Sequence, residues 1–329
     1  LKDTDYLFIS TYLRSREKNL LTAARMERMI DAPSADEAGK VLQEIGYGEF
    51  SATSDRELGQ ALAREREALF QDLYRYVPDK AVVDVFKVKY DYHNLKALLK
   101  AQAMGIDGER LLLDAGRVPA ATLERAVREG DFESLPETLR KAAKEAHEVL
   151  GATGDPQLSD FVLDRAYYEE MLQAARSVNS RFLEGYVRLS IDSANLRSAV
   201  RSARMGKGAD FLRRALIPGG NVSLDSITAA VTGRGELTQV FSHTYLEAAA
   251  ASGAEAVKGG ALTDFERLCD NALTAYLTQG KRVAFGEHPL IGYLYAKENE
   301  LTTIRIILTG RLAGLDSDTI RERLRESYV

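Results

Sequence analysis

Residues 91–105 read DYHNLKALLKAQAMG, and residues 192–206 read DSANLRSAVRSARMG. The two stretches align without a gap. Counted from Asn94 and Asn195, both carry Leu at +1, a basic residue at +2, an aliphatic residue at +5, a basic residue at +6, Met at +10 and Gly at +11. Asp91 and Asp192 stand three residues before the two asparagines. The apolar positions recur at helical spacing, and each glycine sits where a helix commonly stops. The chain therefore uses one amphipathic helix more than once.

The likeness continues downstream. Gly116, Val118, Leu123, Ala126 and Val127 match Gly220, Val222, Ile227, Ala230 and Val231 at equal offsets, in a block shifted by three residues between the copies. Two weaker copies flank these, around Glu17 in the first helix and around Glu300, which sits between Lys297 and Ile304. Glu17 to Ser34 and Glu300 to Ser317 are both intervals of 17 residues. On a helix, residues at i−4 and i+4 share the face of residue i. Those neighbours are Leu13 and Leu21 for Glu17, Tyr90 and Leu98 for Asn94, Ile191 and Ala199 for Asn195, and Ala296 and Ile304 for Glu300. Each polar marker thus interrupts an apolar stripe. One reading makes it a structural group, hydrogen-bonded to a neighbouring helix end or fixing packing register. The other places it on a shared concave face.

Around these helices the chain is built from helix formers. Ala, Leu, Glu and Arg dominate, and seven prolines and no tryptophan occur in 329 residues, so the fold class is all-α. One long helix is expected over residues 6–30, a short one from a Ser34 cap to Ile45, and an amphipathic run over 55–77. A long helix follows to Met104. Shorter pieces are expected over 110–115 and 120–129, then a helix over 135–150 and a linker at 151–156. Two helices over 158–178 and 180–205 come next, with a turn at Pro218, Gly219 and Gly220. A Thr263-capped helix to Leu277, a long helix from His288 to Thr309 and a short last helix follow. The Ala- and Gly-rich stretch 248–260 is left unassigned.

Length permits two or three domains. Apolar residues at 45% and charged residues at 28% fit a folded chain, not a disordered one. With 44 basic against 49 acidic residues and no basic cluster, a nucleic-acid footprint is not expected. The single Cys269 excludes an intrachain disulfide. Residues 1–13 lack the apolar core of a signal peptide, and no stretch approaches the roughly 18 apolar residues of a membrane span, so a soluble, cytosolic chain is expected.

Catalytic signatures do not appear. Gly206-Lys207-Gly208 and Gly280-Lys281 lack the context of a phosphate-binding loop, and no G-x-S-x-G elbow occurs. His93, His147, His243 and His288 are scattered. His243 and Glu247 stand at i,i+4, a spacing that can share a metal but also arises by chance. Cys269 reads as a core thiol without a basic activator. No catalytic residue, cofactor or metal site is assigned.

Several short motifs, in order along the whole chain, match one family. They include Leu13, Arg14 and Glu17 with Leu20 and Leu21; Asp91 to Lys96; Leu163, Asp164 and Arg165 with Tyr167; and Gly185, Tyr186 and Val187. Further on come Asp192 with Asn195, Leu196 and Arg197; Asp270 with Asn271; residues 285–290; Gly292, Tyr293 and Leu294; Glu298 with Glu300; and residues 320–325 before Tyr328 and Val329. On these the chain resembles the C subunits of V-type (A-type) ATPases and ATP synthases, counterparts of the d subunit of the eukaryotic V-ATPase. The least similar part is residues 206–260.

The resemblance implies three similar helical domains in a pseudo-threefold funnel, divided at about residues 1–109, 110–215 and 216–329. It implies a non-catalytic central-stalk protein at the cytoplasmic face of the membrane, present as one copy per complex. One face would seat on the membrane proteolipid ring and the other receive the D and F subunits of the rotor stalk, with ATP bound elsewhere and no nucleotide bound by this chain. Transport of protons or sodium would follow from the complex. Asn94, Asn195 and Glu300, with the adjacent Lys96, Arg197 and Arg305, are then expected to line the funnel or its domain junctions. Two other classes compete. One is a helical-repeat scaffold of a different complex, and the shortage of a regular repeat of about 34 to 45 residues speaks against the familiar kinds. A bundle metalloenzyme would need a Glu-x-x-His pair, and Glu145 and His147 miss that spacing.

Overall fold

The high helix propensity of the chain is realised throughout: the computed structural model describes residues 2–48, 50 and 54–328, and among these it has sixteen α-helices, three short 3-10 turns and no strand. The chain divides into two units, residues 1–83 with 261–329, and residues 84–260.

The first unit contains α1 (Leu7–Glu17), α2 (Ala23–Ile30), α3 (Ala35–Gln43), α4 (Asp55–Tyr76) and the start of α5 (Lys80–Met104). It also contains, from the far end of the sequence, α14 (Leu262–Thr278), α15 (Glu287–Leu312) and α16 (Ser317–Glu322). Its apolar core is shared by both chain segments. Leu301, Ile304, Ile307 and Leu308 form one stripe of α15 and cluster with Met29 and Ile30 of α2, Leu42 of α3, Leu58 and Leu62 of α4, and Ile320 of α16. Each such side chain contributes about 1.5–3 kcal/mol by leaving water.

The second unit contains the rest of α5, α6 (Ala120–Glu129), α7 (Glu137–Thr153), α8 (Pro156–Val178), α9 (Arg181–Arg204), α10 (Ala209–Ala215), α11 (Leu224–Val231), α12 (Leu237–Val240) and α13 (Glu247–Val257). α7 and α8 fold back on each other as a helical hairpin. Their link is shorter than the expected 151–156: only Gly154, left-handed at φ +64°, and the N-cap Asp155 separate them, and Pro156 fills the first helical position. α9 then collects α8, α10, α11 and α13 around it. The unassigned Ala- and Gly-rich stretch is α13. Its buried Ala249, Ala250, Gly253 and Ala256 offer little bulk, which lets the helix pack closely on α9.

Several expected ends hold. The Ser34 and Ser180 hydroxyls accept from the backbone N–H groups of Glu37 (3.1 Å) and Leu183 (3.0 Å), and Gly105 and Gly206 end α5 and α9 at φ +66°. Two expectations fail, and for related reasons. The helix expected over 6–30 is broken between Glu17 and Ala23, because the backbone N–H of Leu21 is drawn to Glu300 (2.6 Å) and Thr22 starts a new helix as its cap. The piece expected over 110–115 shrinks to a 3-10 turn at Glu109–Leu111, because the next backbone groups are held by a side chain. In a smaller difference, the helix expected from a Thr263 cap begins at Leu262 instead.

Ile304 is fully buried at the centre of the first unit's core. Ile304→Ala is expected to lower the stability of that unit by about 2–5 kcal/mol in urea denaturation, through lost burial and a residual cavity.

Candidate functional site

The two best-matched markers do the same thing. Asn94 lies fully buried on α5; its Nδ2 donates to the carbonyl oxygen of Leu113 (2.8 Å), and its Oδ1 accepts from the N–H of the same residue (2.9 Å). Asn195, fully buried on α9, holds both backbone groups of Ile217 in the same way, each at 2.8 Å. A side-chain amide has the donor and acceptor of a peptide group, so it pairs with one loop residue as a neighbouring strand would. The loop residue lies 19 positions beyond the first Asn and 22 beyond the second. That difference is the three-residue shift seen in the sequence. The shorter loop takes a 3-10 turn where the longer one has room for α10.

One helical turn earlier, the aspartates hold the next part of each loop. Asp91 Oδ1 accepts from Val118 N–H (3.1 Å), and Asp192 Oδ1 accepts from the N–H groups of Asn221 (2.9 Å) and Val222 (3.0 Å). The loops approach so closely that a Cβ at Gly116 would strike Asp91 Oδ1, and one at Gly220 would strike Asp192 Oδ1. This is why both copies keep glycine there. The second carboxylate oxygen is treated differently. Asp91 Oδ2 pairs with Arg117 Nε (3.0 Å), whose Nη1 also meets Glu170 (2.8 Å). Asp192 Oδ2 takes the neutral amide of Asn221 (3.0 Å). Burial raises the pKa of both aspartates from the ordinary aspartate value, against the opposing pull of the backbone N–H groups.

The copy on α15 changes the chemistry. Glu300 stands at the marker position and Lys297 at the position of the aspartates. Glu300 Oε2 accepts from the backbone N–H of Leu21 (2.6 Å), while Oε1 accepts from the Tyr47 hydroxyl and from Lys297 Nζ (2.6 Å). Lys297 also donates to the Tyr47 oxygen (2.9 Å) and lies over its ring. Burial and the Glu300 carboxylate raise the Tyr47 pKa well above its ordinary value, so the phenol keeps its proton and donates. The loop held here comes from the opposite end of the chain.

Glu17 does not repeat the clamp. It ends α1 and pairs with Arg14 (2.7 Å), whose Nη2 donates to the carbonyls of Gly280, Lys281 and Val283. Arg165 on α8 acts alike in the other unit, donating to the carbonyls of Arg214 and Leu216 (both 3.2 Å), next to the residue that Asn195 holds. Sequence reading placed Arg14 and Arg165 in the family motifs without a role. Asp91 and Asp192 likewise stand in the repeat and in the family motifs without a role; the signal for one is that Gly116 and Gly220 repeat along with them.

The remaining expected positions lie closer to solvent. Lys96 forms an ion pair with Asp164, beside the Lys100–Asp160 pair at 2.6 Å. Arg197 donates to Ser193 Oγ one turn back (2.9 Å). Arg305 is exposed on α15 and borders a shallow depression of about 300 Å³ with Asp55, Thr309 and Arg323. Glu247 accepts from the backbone N–H of His243 (3.1 Å), and Cys269 is buried. Among the described residues no cluster of three or more His, Cys, Asp or Glu is placed to hold a metal, and no helix is long and apolar enough to cross a membrane.

Comparison with known proteins gives the arrangement a context. The family model described as ATP synthase (C/AC39) subunit matches residues 9–323. The V-type sodium ATPase C subunit of Enterococcus hirae is 26% identical over 328 residues, covering 98% of this chain and 99% of the relative. The A-type ATP synthase C subunit of Methanocaldococcus jannaschii is 25% identical over 349 residues, covering 97% of this chain and 86% of the relative. The V-type ATP synthase C subunit of Thermus thermophilus is 26% identical over 212 residues, covering 63% and 66%.

Asn195→Leu leaves the buried N–H and C=O of Ile217 without their partner. The expected loss is about 2–4 kcal/mol, with faster hydrogen exchange at the Ile217 amide. Gly220→Ala is expected to cost about 1–3 kcal/mol by collision with Asp192. In an Asp192→Ala background most of that added loss should disappear, which a double-mutant cycle in urea measures.

Proposed function

On the premise that this chain belongs to the ATP synthase (C/AC39) subunit family, whose model matches it from residue 9 to residue 323, we propose that it is the socket of a rotary ATPase's central stalk. It is a non-catalytic subunit of a V/A-type complex. In the proposed role one face seats on the membrane proteolipid ring and the other receives the D and F subunits of the rotor stalk, at the cytoplasmic face and in one copy per complex. Torque passing through it links ATP hydrolysis or synthesis to proton or sodium transport.

The observation that carries this reading is the extent of the similarity, which spans almost the whole of this chain and of the Enterococcus hirae relative. The interior supports it. A torque-bearing part must resist bending, and long close-packed helices do so. Loops tied to those helices by paired backbone bonds cannot swing under load. In this proposal the chain is three repeats, about residues 1–109, 110–215 and 216–329. Asn94, Asn195 and Glu300 brace equivalent junctions, and Lys96, Arg197 and Arg305 on the same helices lie towards the funnel.

Recovery of a tagged chain from detergent-solubilised membranes tests the role. The D and F subunits and the proteolipid ring are expected to accompany it at one copy of this chain per complex. A chain recovered without any other component of the ATPase, or in several copies, overturns the proposal.

A further inference from the structure

The second unit carries a groove that its own packing leaves open. It encloses about 540 Å³ between α7, α8 and α10. α8 forms the floor with the partly exposed apolar residues Leu158, Phe161, Val162 and Ala166, at positions i, i+3, i+4 and i+8, and with exposed Arg165, whose Nη2 is turned to the α10 side and donates to the carbonyls of Arg214 and Leu216 (both 3.2 Å). Phe161 leans edge-on against Phe211 of α10 (5.5 Å between ring centres), which fixes the floor on that side. The walls differ in sign. α10 supplies Arg213 and Arg214, and α7 supplies Glu145, with Glu169 at the end of the floor. Arg213 is shared with exposed Asp210 (3.1 Å), whereas the side chains of Arg214 and Glu145 have no partner among the described residues.

We infer that this groove binds one amphipathic α-helix of a partner protein. The floor from Leu158 to Glu169 is about 17 Å long at the helical rise, which accommodates about three turns of another helix. Apolar rungs three and four residues apart receive a helix that presents its own apolar stripe at the same spacing. The opposed walls set the rest of its pattern: acidic residues along the flank that meets Arg213 and Arg214, and basic residues along the flank that meets Glu145. An acyl chain with an anionic head would use the basic wall and leave Glu145 facing hydrocarbon, so the charge pattern favours the helix. The inference goes beyond the rotary-socket role and does not depend on it, because the groove selects a pattern and not a particular complex.

Two synthetic 14-residue helical peptides with one leucine stripe test it on the full chain by fluorescence anisotropy. One carries glutamates on one flank and lysines on the other; the second carries lysines on both. The mixed peptide is expected to bind at least tenfold more tightly. Arg213→Glu with Arg214→Glu should reverse that ranking, and Phe161→Glu should abolish both, with circular dichroism melts confirming that the variants remain folded. Equal affinity of the two peptides for the wild-type chain, an unchanged ranking in the double variant, or binding of anionic phospholipid vesicles in place of either peptide overturns it.

Discussion

A buried amide must find partners for both its N–H and its C=O, because leaving either unpaired costs more than the bond itself contributes. In this chain Asn94 and Asn195 meet that demand with a single backbone residue each. The helix thereby fixes the position and the direction of the loop at once, which an apolar contact cannot do. The aspartates one turn earlier extend the hold along the next few residues, and glycines at the point of closest approach make it sterically possible. Much of the placement of α6, α10 and α11 follows from where these loops are tied.

The same constraint tolerates different chemistry from copy to copy. Asp91 is balanced by a guanidinium that also serves Glu170, while Asp192 is served by a neutral amide. At Glu300 the charge sits on the marker itself, and Lys297 compensates it from the position where the other copies have an acid. A carboxylate has no N–H to offer, so it takes the Leu21 N–H and gives nothing to the adjoining carbonyl. The longer, charged side chain thus makes a one-sided hold that a nearby cation and phenol complete.

Periodicity made the helices legible, and the gapless match of residues 91–105 with 192–206 made the repeat legible. The three-residue shift between downstream blocks was visible too, but its cause was not. Only the structure shows a 3-10 turn in one loop and α10 in the other. Helical spacing also hid the break after Glu17, since Leu13, Glu17 and Leu21 continue a helical pattern that a partner 279 residues away interrupts. Long-range bonds of this kind leave no local trace in a sequence. The groove of α7, α8 and α10 was equally hidden, because its lining comes from three separated segments whose residues look like ordinary helix surface.

The first unit's core draws on both chain ends, with α2, α3 and α4 on one side and α15 and α16 on the other. Synthesis on the ribosome is directional, so these partners are not available together. At about 5–20 residues per second, the interval between the emergence of residue 83 and that of Glu300 is about 10–45 s. Residues 84–260, contiguous in sequence, can complete their unit within it. Met29, Ile30, Leu42 and Leu58 must meanwhile remain without the α15 stripe that buries them, and Leu21 without Glu300. While residues 84–299 are being made, the nascent chain therefore carries an apolar surface on α2, α3 and α4 that waits for α15 and α16 to cover it.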